Sequence, residues 1–129
     1  MKIVIASGYF NPIHIGHIEY LEKAKSLGDC LVVIINSDYQ VTLKGSKPFM
    51  KEEERYTIVN ALRCVNVAFM SLDKDKTVCQ SIERIVEFYG KDHSYIFAKG
   101  GDRFSDEIPE KDVCVKHNIK IVDGLGKKI

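Results

Sequence analysis

Two histidines three residues apart, His14 and His17 with Gly16 between them, are the side chains whose type and spacing best suit a chemical task. They follow a short apolar run with β-branched residues, Lys2 to Ala6, which reads as a buried strand ended by Ser7 and Gly8. A helix is predicted from Ile15 to Leu27, so both histidines stand at its first turn. Three residues of helix turn the chain by roughly 300°, which leaves the two side chains about 60° apart on one face. The free N–H groups and positive dipole end of the helix favour an anion there. Imidazole N–H groups add donors suited to phosphate oxygens.

Two other polar stretches ask for the same partner. Lys44-Gly45-Ser46-Lys47-Pro48 puts two lysines in a flexible segment, and Lys99-Gly100-Gly101-Asp102 pairs glycines that let backbone approach a ligand closely. A solvated loop is the plainer account of the lysines, and a tight turn that of the glycines. What favours a site is where the elements would put them. Cys30 to Ile35 reads as a second buried strand after a helix stop at Gly28, so the first 35 residues form a βαβ unit. A short helical turn is expected at Asn36-Ser37-Asp38. A helix over Lys51 to Leu62 should bury Tyr56, Val59 and Leu62, with Arg55 on its polar side in a structural salt bridge.

Val65 to Met70 is the third expected strand. Asp75 or Thr77 would then cap a helix running to about Tyr89 and stopped by Gly90. Ser94 to Ala98 is the fourth strand, Pro109 to His117 a short helix, Ile119 to Val122 the fifth strand and Asp123-Gly124-Leu125-Gly126 a turn. Strands alternating with helices predict an α/β fold: a single-domain, doubly wound, five-stranded parallel sheet of Rossmann-like type. Ligands of such sheets bind outside the carboxyl ends of the strands. The histidine turn, the Lys44 loop and the Lys99 turn all fall on that edge.

Composition removes several classes. Nineteen basic against 18 acidic residues leave a net charge of +1, which gives no bulk attraction for nucleic acid. No apolar run approaches the roughly 20 residues that span a bilayer, so no membrane partner is expected. Four apolar residues after Lys2 are too few for a signal peptide, and a cytoplasmic protein is the expectation. Cys30, Cys64, Cys79 and Cys114 form no Cys-x-x-Cys pair, so they read as reduced thiols rather than zinc or redox groups.

The stretch Gly8-Tyr9-Phe10-Asn11-Pro12-Ile13-His14-Ile15-Gly16-His17 resembles the HxGH signature of the cytidylyltransferase-like nucleotidyltransferases, with Asn11 where many members carry Asp. Asn36-Ser37-Asp38, Leu43-Lys44-Gly45, Glu54-Arg55, Ala61-Leu62-Arg63-Cys64-Val65 and Lys99-Gly-Gly-Asp102 occur in the order seen in the nucleotidyltransferase domain of ADP-heptose synthases. Glycerol-3-phosphate cytidylyltransferases are similar at greater distance. The resemblance implies transfer of a nucleoside monophosphate, AMP before CMP, from a nucleoside triphosphate to a sugar or polyol phosphate, with release of pyrophosphate. Transfer to another cofactor precursor and nucleotide binding without turnover are the alternatives.

The same resemblance implies the site residues. His14, His17 and Lys44 would be catalytic. Gly8, Tyr9, Phe10, Gly16, Lys99, Gly100 and Asp102 would bind the nucleotide, and Arg55 the acceptor phosphate. Mg²⁺ would arrive on the triphosphate, with no protein metal site, and a homodimer is implied. The family's final Ile-Ser-Thr-Thr motif is missing: after Asp123-Gly124 the chain reads Leu125-Gly126-Lys127-Lys128-Ile129. Three explanations stay open: a sequence that lacks its C-terminal end, substitution by Lys127 and Lys128, or weaker donor binding.

Overall fold

The computed structural model describes residues 1–100 and 108–125. In chain order they form β1 (Lys2–Gly8), α1 (Ile15–Lys25), β2 (Cys30–Ile35), α2 (Asp38–Leu43), α3 (Glu52–Asn60), β3 (Val67–Met70), α4 (Cys79–Tyr89), β4 (Ser94–Gly100), α5 (Lys111–Lys116) and β5 (Lys120–Leu125). All strand pairs are parallel, in the order β3-β2-β1-β4-β5. Successive strand side chains point to opposite faces. Ile3, Ile5, Val32, Ile34 and Phe97 therefore pack with Ile82 and Ile85 of α4 and Val113 and Cys114 of α5. Val4, Ala6, Leu31, Val33 and Ile35 pack the other way, against Leu21 and Ala24 of α1 and Val59 of α3. Helices on both faces explain why the strands read as unbroken apolar runs, with all six residues of β2 buried.

The chain steps outward from β1 to β3, then returns past β1 to build β4 and β5. The order reverses between β1 and β4, and the crevice of a doubly wound sheet opens at that reversal. Tyr20 of α1 ties the two strands together. Its hydroxyl donates to Ala98 O of β4 at 2.6 Å and accepts the Ser7 N–H of β1 at 3.4 Å. Burial pushes the phenol far above its ordinary pKa, so it stays a donor.

Several boundaries differ from the sequence expectation, each for a tertiary reason. Strands β4 and β5 run on through Gly100 and Leu125, where turns were expected, because they keep pairing past a register shift between Ala98 and Gly100. Gly100 fits closely there: a Cβ would lie 3.2 Å from both Leu125 O and Tyr20 Cδ1. Asp75 does not cap α4, and Thr77 meets only its first N–H, accepting from Cys79 at 3.3 Å. Asp73, buried upstream, accepts the next two, from Gln80 and Ser81, at 2.8 and 3.0 Å.

Arg55 is the largest correction. It was expected on the polar side of α3, yet it is 0% exposed. Its Nε donates to Met50 O at 2.8 Å. Its Nη1 donates to Tyr9 O at 2.7 Å and Asn36 O at 2.6 Å, and its Nη2 to Asp38 Oδ1 at 2.7 Å. One planar fork thus joins the turn after β1, the end of β2, the start of α2 and the entry to α3. Removing it would strand three carbonyls and a carboxylate. Arg55→Leu should lower the unfolding free energy by about 3–5 kcal/mol. The check is a urea melt: the midpoint should fall with little change in slope, whereas a loss below about 1 kcal/mol, the range of a surface pair, would show that the fork does not carry the junction.

Candidate active site

The turn after β1 is set by its own side chains. Phe10 has a positive φ of 51° and is 1% exposed. Its ring folds back over Gly8, where an added Cβ would lie 2.8 Å from Phe10 Cζ. A side chain at position 8 would therefore push the turn open. Asn11 ties the turn to the lysine loop: its Nδ2 donates to Lys47 O and its Oδ1 accepts the Met50 N–H, both at 2.9 Å. An aspartate could make only the second bond, so the asparagine that departs from the common pattern has a local use.

The histidines serve α1 before they serve any ligand. His14 is the N-cap, and its Nδ1 accepts the Gly16 N–H at 3.2 Å. His17 Nδ1 accepts the His14 N–H at 3.1 Å, while the His17 N–H goes to His14 O. The N–H groups of Gly16 and His17, expected to be open to an anion, are thus already taken. What replaces them is better aimed. With both Nδ1 atoms accepting, each neutral ring carries its proton on Nε2. The rings stack with centroids 3.8 Å apart, and Phe10 meets the His17 ring edge-on at 5.0 Å. Burial, with the neighbouring His14 ring second, lowers the His17 pKa from 6.5 to about 4. The His17 ring is therefore an uncharged Nε2–H donor at neutral pH, stacked on His14.

These donors face a cavity of about 320 Å³ lined also by Tyr9, Asn11, Lys44 and Ser46. A second cavity, about 530 Å³, is lined by Gly8, Asn36, Lys76, Lys99 and Glu110, and it too reaches Tyr9 and Lys44. Lys44 stands at the border. Its ammonium lies 4.3 Å above the centre of the Tyr9 ring, which fixes its position by a cation–π contact. The tyrosine pKa is raised by burial and then by Glu110.

Tyr9, Phe10, His14, His17 and Lys44 thus meet at the first cavity, and Gly8 and Lys99 at the second. Gly16 acts through its backbone in the cap, and Gly100 sits within β4. Arg55 lies behind the site with its fork turned to protein oxygens, so the acceptor-facing position expected for it is not where it stands. Asp102, Lys127 and Lys128 lie outside the described residues. Lys76 and Glu110 were not singled out from the sequence. Each belongs to a stretch that reads as an ordinary helix approach, and only the return of the chain past β1 brings them to the crevice. Among the described residues no three His, Cys, Asp or Glu side chains group as a metal site, and the donors lining both cavities suit phosphate rather than a bare cation.

The fold and this edge have known counterparts. The family model described as cytidylyltransferase-like matches residues 5–123. The chain belongs to that family. Members include nucleotidyltransferases. The bifunctional protein HldE of Citrifermentans bemidjiense is 36% identical over 95% of this chain, which spans 25% of that protein. The FAD synthase of Ferroglobus placidus is 38% identical over 93% of this chain and 72% of its own length. The lipopolysaccharide core biosynthesis protein of Thermoplasma volcanium superposes with a TM-score of 0.77 at 27% identity, covering 99% of both chains. No helix among the described residues is long and apolar enough to cross a membrane.

The capping geometry makes a direct prediction. Long-range ¹H–¹⁵N spectra at neutral pH should show the His17 imidazole protonated at Nε2 only, with its titration near pH 4. Because the unfolded chain takes up that proton near 6.5, the stability that the neutral ring contributes is full above that pH and is lost as pH falls toward about 4. A His17 midpoint near 6.5 would refute the assignment.

Proposed function

We propose that this chain is a nucleotidyltransferase domain that moves AMP from ATP to a phosphorylated acceptor and releases pyrophosphate. The observation that carries this reading is the stacked pair of imidazoles, each with Nδ1 engaged in the helix cap, beside Lys44 at the sheet's reversal point. Such a site offers no covalent nucleophile and needs none. An acceptor phosphate oxygen forms a bond to the α-phosphorus in line, the bond to the bridging oxygen breaks, and pyrophosphate departs with that electron pair. The acceptor oxygen is already ionised, so no proton has to be removed. His14 and His17 would donate to the α-phosphate oxygens as charge builds on them, at no cost of discharging an imidazolium. Lys44, at the border of the two cavities, is placed to neutralise phosphates on either side. Magnesium would enter as the counter-ion of the triphosphate and screen its charge.

A sugar phosphate acceptor is supported by the ADP-heptose-synthase-like order of motifs and by the likeness to a lipopolysaccharide core biosynthesis protein. A second reading, FMN as acceptor, is supported by the FAD synthase relative, since the chain covers most of that protein. Pyrophosphate release separates them: ATP and CTP are each offered with a heptose 1-phosphate, glycerol 3-phosphate and FMN. One pairing should turn over well above the rest. In that pairing His14→Ala and His17→Ala should each lose about 10²–10³ in rate, the worth of an oxyanion donor. Near-normal turnover in both variants would take the imidazoles out of the mechanism.

A further inference from the structure

The hydrogen-bond network of Arg55 continues past the residues it touches. Asn36, whose carbonyl accepts from Arg55 Nη1, donates through Nδ2 to Gln40 Oε1 at 3.1 Å. Gln40 is fully buried, and both ends of its amide are engaged. Its Oε1 also accepts the Ser37 N–H at 3.0 Å, and its Nε2 donates to Asp75 O at 2.8 Å and to Thr77 O at 2.9 Å. Those two carbonyls flank a single residue, Lys76, whose side chain lines the second cavity. The Asp75 carboxylate holds the same turn, accepting the Thr77 N–H at 2.9 Å and the Thr77 hydroxyl at 2.7 Å. The backbone of Gln40 is engaged toward the other lysine, since its carbonyl accepts the Lys44 N–H at 3.2 Å.

A surface turn with a lysine at its apex needs none of this, because loops commonly leave such residues mobile. A buried amide that spends both donors on the carbonyls either side of one residue fixes where that residue's backbone stands. Among the described residues the Lys76 ammonium makes no hydrogen bond or ion pair, so the turn is held while its charge is left for a ligand. Lys44, Lys76 and Lys99 line this cavity against one carboxylate, Glu110, a balance that favours a ligand with more than one negative charge. We propose that Gln40 is a positioning residue: it sets Lys76 relative to Lys44, so that the Lys76 ammonium joins Lys44 in binding a polyphosphate. That this polyphosphate belongs to the nucleotide donor rests on the nucleotidyl-transfer reading; the placement of Lys76 by Gln40 does not.

The test is a double-mutant cycle on the whole protein, read by titration with inorganic tripolyphosphate. Lys76→Met should weaken binding about tenfold, the worth of one charge-assisted hydrogen bond, and leave the melting temperature in place. Gln40→Met is close in volume but has no donors. It should weaken binding about fivefold to tenfold alone, and by no more than about twofold once position 76 is methionine. A glutamine that only supports the fold would cost the same in both backgrounds, and that result overturns the proposal. So does a Lys76→Met variant that binds tripolyphosphate normally. If Gln40→Met does not fold, a comparison with Lys74→Met decides. Lys74 is exposed in the same segment and lines neither cavity, so its loss should change binding by no more than about twofold. Equal losses from Lys74→Met and Lys76→Met would show bulk charge in place of a fixed ammonium and overturn the proposal too. Pyrophosphate release from ATP is followed in parallel. The expected cycle without release in any pairing would leave the placement of Lys76 and remove the transfer reading; release with normal tripolyphosphate binding by Lys76→Met would do the reverse.

Discussion

A buried guanidinium must find an acceptor for nearly every one of its donors, and this requirement organises the upper rim of the sheet. Arg55 finds them at four residues on three stretches of chain: Tyr9, Asn36 together with Asp38, and Met50. Each segment carries part of the site. Tyr9 underlies Lys44, Asn36 lines the second cavity, Asp38 opens the helix that ends at Lys44, and Met50 is bonded in turn to Asn11. A flexible lysine could offset the charge of Asp38 but not match three carbonyls in one plane. The rigidity of the crevice therefore comes from a cation that faces away from it.

The same economy of groups appears in the histidine pair. A helix N-terminus has unsatisfied N–H groups, and a serine or aspartate commonly answers them. Here imidazole nitrogens do so, and the choice has a chemical consequence. Using Nδ1 as the cap fixes the tautomer, turns Nε2–H outward and, with burial, keeps the ring uncharged. A capping carboxylate would have left the helix equally satisfied but would have presented negative charge to a phosphate. The same rings thus cap the helix and line the cavity.

The division of the crevice into two cavities follows from the reversal of strand order. Segments after β1 and β2 supply the first cavity, while the second adds groups from the approach to α4, from β4 and from the approach to α5. Among the described residues only Tyr9 and Lys44 belong to both. Two differently named relatives, HldE and FAD synthase, match the same chain at comparable identity.

The sequence alone determined the class of fold, the strand cores and the histidine turn. Apolar runs, helical spacing and glycine stops act between near neighbours along the chain, so they are visible in one dimension. It also marked Lys44 and Lys99 as belonging to the carboxyl edge, because strand direction settles which loops share that edge. It misplaced Arg55, because a charged residue on a helix with acidic neighbours reads as solvated until its partners from other segments are seen. It passed over Lys76 and Glu110 for the same reason. The tertiary structure alone decided the imidazole nitrogens that cap α1, the burial of Arg55 and the burial of Glu110. Each of these depends on the desolvation and the partners that arise only when distant segments are brought into contact.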